Sequence, residues 1–115
     1  MKKDPLIFID HILESISAVK DYVAGLDKKK FFESTQVQDA VIRRVEIIGE
    51  AVRNFPKDII REHPEVPWRE IVDMRNLLIH EYFSVDLQET WNVIKQDLPK
   101  LERQIEKIKD KLKIL

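Results

Sequence analysis

The stretch Asp86-Leu87-Gln88-Glu89-Thr90-Trp91-Asn92-Val93-Ile94-Lys95-Gln96-Asp97-Leu98-Pro99-Lys100-Leu101, continued by Glu102-Arg103-Gln104-Ile105-Glu106-Lys107-Ile108-Lys109-Asp110-Lys111-Leu112-Lys113-Ile114-Leu115, decides the fold. Trp91, Ile94, Leu98, Leu101, Ile105, Ile108, Leu112 and Leu115 recur at alternating steps of three and four, with Leu87 leading in. That spacing is the apolar seam of a long helix. Asp86 and Glu89 supply a D-x-x-E capping box at its start. Pro99 lies inside it, removes one backbone hydrogen bond and kinks the helix. Because the apolar phase survives the proline, the sequence reads as one bent, continuous helix.

Upstream the same logic repeats. Asp4 before Pro5 is an N-cap with proline at the first helical position. Leu6, Ile9, Leu13, Ile16 and Val23 then form an apolar stripe that Gly25 terminates. Asp27-Lys28-Lys29-Lys30 reads as a solvated turn. Thr35 and Gln38 form a T-x-x-Q box that opens a second helix, whose stripe is Val37, Val41, Val45, Ile48, Val52 and Phe55. Gly49 inside it costs about 1 kcal/mol against alanine, which points to a close helix crossing. Pro56, Pro64 and Pro67 punctuate a connection with one short helical turn around Asp58–Glu62. Trp68 opens a third helix, expected to run to His80–Tyr82. No strand is predicted. The expectation is an all-α, single-domain chain over residues 1–115: a four- to five-helix up-down bundle with a long, proline-kinked last helix.

Composition narrows the chemistry. Lys+Arg 20 against Asp+Glu 21 leaves a formal net charge of −1, so nucleic acid must meet a local patch rather than a basic surface. Cys is 0, which excludes disulfides and thiolate chemistry. With only Gly25 and Gly49, no glycine-rich phosphate loop can form. The apolar run Leu6-Ile7-Phe8-Ile9 stops at Asp10, too soon for a signal peptide or a membrane span. A soluble, cytoplasmic protein without membrane contact is expected.

The chemistry-bearing segment is Pro67-Trp68-Arg69-Glu70-Ile71-Val72-Asp73-Met74-Arg75-Asn76-Leu77-Leu78-Ile79-His80-Glu81-Tyr82-Phe83. On a helix, Arg69, Asp73, Asn76 and His80 line one polar stripe. Arg75 and His80 stand about 140° apart on an ideal helix. They converge if Arg75 reaches around, if the helix loosens near His80, or if a second subunit supplies the partner. Arg75 suits bidentate binding of a phosphate and stabilisation of a pentavalent transition state. His80 suits general acid–base work on a ribose 2′-hydroxyl, and Asn76 suits orienting the imidazole or a phosphate oxygen. That reaction requires no metal and no cofactor. From residue types alone, an Arg–His pair on a helix is more often a surface or interhelix hydrogen-bond pair than a catalytic one. Trp68 and Trp91 read as core anchors, and His11 and His63 as surface or hinge histidines. The tail from Lys100 to Leu115 is net positive, which fits the solvated side of an amphipathic helix better than an RNA contact.

The string Met74-Arg75-Asn76-Leu77-Leu78-Ile79-His80-Glu81-Tyr82 resembles the R-x-x-x-x-H-x-Y signature of HepT toxins in the HEPN superfamily. Gln38–Arg44, Glu46–Ala51, Pro67–Ile71, Tyr82–Asp86, Trp91 and Asp97-Leu98-Pro99 extend the resemblance over essentially the whole chain. The resemblance implies an α-helical homodimer whose two motifs form a cleft between subunits and cut RNA without metal. Arg75 and His80 are the motif residues, and Asn76 joins them as a catalytic candidate on the chemistry above. It also implies a toxin–antitoxin partner, a small MntA-like nucleotidyltransferase that transfers AMP to the motif tyrosine, here Tyr82. Read from its own chemistry, Tyr82 is an amphipathic side chain closing a helix end. Asp73 and Glu81 add negative charge beside the phosphate site. A competing reading is a non-catalytic helical module that docks such a nucleotidyltransferase.

Overall fold

The computed structural model describes residues 4–80 and 84–114, and within them the chain is almost wholly helical. Helix α1 spans Pro5–Val23; the Asp4 carboxylate accepts the Leu6 N–H at 2.9 Å, and Gly25 at φ 77 turns the chain away. A positive φ of that kind is the conformation glycine adopts without a Cβ clash.

The next segment departs from the expected turn. Asp27 accepts the Lys30 N–H at 2.8 Å and caps a short helix α2, Lys28–Glu33. Its lysines stay exposed while Phe31 is fully buried. One buried aromatic after a charged turn suffices to hold this helix against the core.

Helix α3 spans Thr35–Arg53, and its cap is Ser34, whose Oγ accepts the Val37 N–H at 3.2 Å. The expected box is therefore displaced by one residue, with Thr35 as the first helical residue. Gln38 does different work. Its buried side chain donates to the carbonyls of Phe31 and Phe32 at 3.0 and 3.1 Å, satisfying the open end of α2. Helix α3 is the central element and packs against both α1 and the later helix α5, Trp68–Leu78. At the α3–α5 crossing a Cβ on Gly49 would lie 3.2 Å from the Val72 carbonyl oxygen, which explains the glycine.

The connection contains α4, Lys57–Glu62, as the short helical turn foreseen there. His63 is not a surface histidine: it is buried, its Nδ1 lies 3.3 Å from Glu65 Oε1, and its carbonyl accepts the Trp68 indole N–H at 2.9 Å. Trp68 stacks obliquely on Phe55 with centroids 5.3 Å apart, a core anchor as expected. Trp91 is half-buried against Phe31 at 5.3 Å.

Helix α5 ends at Leu78, short of the expected limit. Ile79 is extended, with φ −110 and ψ 119, and forms an isolated antiparallel bridge with Val85. The Leu78 carbonyl accepts the Asp86 N–H, and the Ser84 carbonyl accepts the His80 N–H, each at 2.8 Å. These cross-chain bonds use backbone groups that a continuing helix would need for itself.

The last helix is continuous and not simply kinked. Helix α6, Leu87–Asn92, passes through a π turn at Val93–Asp97 into α7, Leu98–Ile114. The Leu98 N–H reaches back five residues to the Val93 carbonyl immediately before Pro99. The wide turn opens the ladder where the proline ring would otherwise meet the carbonyl four residues earlier. It also moves the buried face: Thr90, Val93 and Ile94 are buried, whereas Trp91 is only half so. Beyond it Leu98, Leu101, Ile105 and Ile108 are buried as the seam requires. Helix α7 runs antiparallel to α1, with Lys109 bound to Asp10 at 2.9 Å and Lys20 paired with Glu102. Pro67, Ile71 and Met74 of the α5 side border a shallow hollow with Leu101 and Gln104 of α7. Among the described residues, no helix is long and apolar enough to cross a membrane.

Candidate active site

Arg75 stands in the last turn of α5, where α3 crosses beneath it. Its Nε lies 4.0 Å from Glu46 Oε2, and its Nη1 donates to Asn76 Oδ1 at 3.3 Å. The guanidinium borders an open cleft of about 440 Å³ between α1, α3 and α5. His11, Arg43, Glu46 and Glu50 share that cleft with Arg75 and Asn76. Arg53 lines it as well, so three arginines face two glutamates and the cleft carries a small excess of positive charge.

His80 faces a different depression. It lines an open hollow of about 600 Å³ with Asn76, Leu77, Ile79 and Ser84. Its Nε2 lies 3.4 Å from Asp86 Oδ2, with the imidazole 56 % exposed and the carboxylate 31 %. The other oxygen of Asp86, Oδ1, accepts the Glu89 N–H at 3.0 Å and caps α6. Asp86 is thus held at both ends, by its cap bond and by its backbone bond to Leu78.

The structure therefore brings Arg75 and Asn76 into one cleft and Asn76 and His80 into another, with Asn76 on the wall between them. The helix ends before His80, so the ideal-helix angle between Arg75 and His80 no longer applies. The helix does loosen before His80, yet within a single chain Arg75 and His80 line separate hollows that meet at Asn76. Arg69 and Asp73 remain on the exposed side of α5 and line neither hollow. Tyr82 lies outside the described residues.

Two side chains of this site were not singled out from sequence. Glu46 lay on the polar side of the α3 stripe with nothing to mark it. Asp86 was assigned only its capping role, and the signal for a second role was its place six residues after His80, across a break in the helix. Beside the histidine, Leu77 is 60 % exposed, one of the largest apolar side chains open to solvent.

Comparison with known proteins identifies the family of the chain. The family model described as "Ribonuclease HepT-like" matches residues 12–108. A Methanocaldococcus jannaschii protein named gamma-glutamylcyclotransferase and putative RNase is 47 % identical over 112 residues, 97 % of this chain and 50 % of its own length. The chain thus spans about half of that relative. A Thermococcus cleftensis protein named probable ribonuclease HepT is 40 % identical over 109 residues, 95 % of this chain and 99 % of its own. A Caldanaerobacter subterraneus protein named putative RNase is 40 % identical over 111 residues, covering 96 % of this chain and 99 % of the relative. No solved structure matches. With the family model covering residues 12–108 and the Thermococcus relative aligned over 99 % of its length, the chain belongs to the HepT-like ribonuclease family.

Proposed function

We propose that this protein is an endoribonuclease that cleaves RNA by attack of a ribose 2′-hydroxyl on the adjacent phosphate. The observation that carries the reading is the grouping of Arg75, Asn76 and His80 around the solvent-facing end of α5. His80 takes the 2′-hydroxyl proton while the 2′-oxygen bonds to phosphorus. Arg75 binds the phosphate oxygens bidentately and stabilises the charge of the pentavalent transition state, with Asn76 holding a phosphate oxygen beside it. The P–O5′ bond breaks, and the leaving 5′-oxygen takes a proton from the imidazolium of a second copy. The products are a 2′,3′-cyclic phosphate and a 5′-hydroxyl, and no step needs a metal.

The working unit is a homodimer in which two α5 ends face one another across an RNA-sized cleft. Two hollows on one protomer, joined only at Asn76, and the exposed Leu77 beside them support this arrangement. As a toxin in the cytoplasm, the enzyme is neutralised by an MntA-like nucleotidyltransferase antitoxin that adenylylates Tyr82. That tyrosine follows His80 by two residues in the sequence.

The test is incubation of total cellular RNA with purified wild type and His80→Ala in EDTA, with analysis of fragment ends. Cyclic phosphates produced by the wild type alone support the reading. A folded, unmodified wild-type protein that cuts nothing moves the conclusion to a helical docking module for the nucleotidyltransferase.

A further inference from the structure

We infer that Asp86 is a positioning residue for His80: it holds Nε2 in the protonated state and leaves Nδ1 as the nitrogen that takes the proton. The inference rests on the ribonuclease reading for its catalytic consequence, but not for the tautomer itself. Three observations carry it. Asp86 Oδ2 faces His80 Nε2 at 3.4 Å. Asp86 Oδ1 is committed to the Glu89 N–H at 3.0 Å. The backbones of both residues are tied across one antiparallel bridge, His80 N–H to Ser84 O and Asp86 N–H to Leu78 O, each at 2.8 Å.

The first observation selects the tautomer. An ionised carboxylate accepts and cannot donate, so a neutral imidazole facing it carries its proton on the facing nitrogen. The second observation fixes which carboxylate oxygen does the selecting. Turning the carboxylate away from His80 would break the cap on α6, so the cap bond holds Oδ2 beside the imidazole. The third observation keeps the contact from depending on two freely moving surface side chains. The relation is the one by which a buried carboxylate orients a catalytic imidazole through its second nitrogen. Here it is built at a helix start and left half open to water.

The geometry makes Asp86→Asn an informative substitution. Asparagine caps a helix as well as aspartate does, and its carboxamide oxygen is the only atom that can accept the Glu89 N–H. Its NH₂ group must then face His80 Nε2, which becomes the acceptor. The proton moves to Nδ1, and the nitrogen that serves as base is blocked. Asp86→Ser keeps a capping oxygen but is too short to reach the imidazole, so it separates capping from positioning.

The experiment uses full-length protein with ¹⁵N-labelled histidine. The two ring nitrogens of His80 are assigned by NMR at a pH where imidazole is neutral, and cleavage kinetics are measured alongside. The expected result is an Nε2–H tautomer in the wild type and an Nδ1–H tautomer in Asp86→Asn, with Tm unchanged. The asparagine variant should lose about 100-fold or more in kcat with KM within about threefold, in the range general-base catalysis provides. Asp86→Ser should lose the tautomer preference and part of kcat while keeping the wild-type Tm. An Nε2–H tautomer retained in Asp86→Asn overturns the inference, as does full activity with the tautomer reversed. If the tautomer reverses but the wild type cuts no RNA, the positioning stands and the ribonuclease reading falls.

Discussion

Glu46 Oε2 lies 4.0 Å from Arg75 Nε, so the guanidinium that the proposed chemistry needs is steadied from α3 on the edge facing away from Asn76. Both side chains are about two-fifths exposed, 40 % and 39 %, and such a pair adds little to stability, on the order of 0–1 kcal/mol. Its weight falls on orientation. Glu46→Gln should keep the wild-type Tm, lower kcat several-fold, and lower KM as well, because removing a carboxylate relieves repulsion of the RNA backbone. Steady-state cleavage of a defined RNA at fixed salt separates the two constants. A KM that rises would show that Glu46 acts on something other than charge and aim.

Arg75→Lys tests the bidentate role directly. Lysine keeps the charge and loses the planar fork that matches a phosphate. The substitution should leave unfolding free energy within about 0.5 kcal/mol, as expected of a partly exposed position. Cleavage should fall about 100-fold, of the order expected for a lost transition-state donor. Single-turnover kinetics at saturating enzyme report the chemical step. Wild-type rates in the lysine variant would reduce Arg75 to a point charge.

Gly49 sits where α3 meets α5, and two effects oppose one another there. Alanine gains about 1 kcal/mol of helix propensity. Its Cβ would, however, lie 3.2 Å from the Val72 carbonyl oxygen and 3.4 Å from that of Ile71, and backbone atoms give way less readily than side chains. Overpacking costs about 1–3 kcal/mol, so Gly49→Ala should be destabilising by about 1 kcal/mol and Gly49→Val by about 3 kcal/mol. Urea unfolding measures both. Because α5 carries Arg75, the valine variant should also lose activity beyond its loss of folded protein.

Much of the bundle is legible in the chain because burial follows the 3.6-residue period. Ile9, Ile16 and Val23 of the first stripe, Val41 to Phe55 of the second and the seam from Leu98 to Ile108 lie inside. Leu6, Leu13 and Val37 are half-buried, whereas Ile12 and Val19, off the first stripe, are fully buried. What escaped the periodicity was decided by single contacts. Phe31 drags a lysine-rich segment into a helix, a choice no pattern of exposed lysines announces. Ser34 and Thr35 are both competent caps, and Gln38, whose amide is needed by the end of α2, is unavailable to a capping box. At the site, Arg75, Asn76 and His80 were legible as residue types and as a family resemblance. The exit of the chain from α5 before His80 was not, since it depends on bonds from Ser84 and Asp86. Asp86 looked fully explained as a cap, which hid its second oxygen.

The corrected cap makes its own prediction. Ser34→Ala removes the oxygen that accepts the Val37 N–H and should cost about 1 kcal/mol, whereas Thr35→Ala should cost only a few tenths. Gln38→Leu strands the Phe32 carbonyl, leaves that of Phe31 with the Ser34 N–H alone, and should cost about 1–3 kcal/mol. Chemical denaturation of the three variants ranks them. Thr35→Ala more damaging than Ser34→Ala would restore the displaced capping box.

Acid behaviour has one identifiable contributor. The Glu65 carboxyl is held below its ordinary value of 4.5, first by a hydrogen bond from its own backbone N–H and then by His63 beside it. A depressed carboxylate favours the folded state above its unfolded value, and the benefit is lost as pH falls through the folded one. Wild type should therefore exceed Glu65→Gln in Tm at neutral pH, with the gap closing below about pH 4.5. Thermal unfolding at several pH values follows it. A gap that widens on acidification would contradict the assignment.

Leu77 offers the plainest check on the proposed dimer. It is 60 % exposed on the protomer and borders the His80 hollow, so it contributes almost nothing to the core of a single chain. An apolar side chain in that position gains stability only when a second surface covers it. Leu77→Lys should leave the thermal unfolding of the isolated chain unchanged while placing two like charges close together where two α5 ends meet. Sedimentation equilibrium should then show a monomer, or a dimer weakened by at least tenfold, and RNA cleavage should fall in step with the lost dimer. If Leu77→Lys remains a full-strength dimer, association uses another face, and the composite cleft is wrong whatever the catalytic residues prove to be.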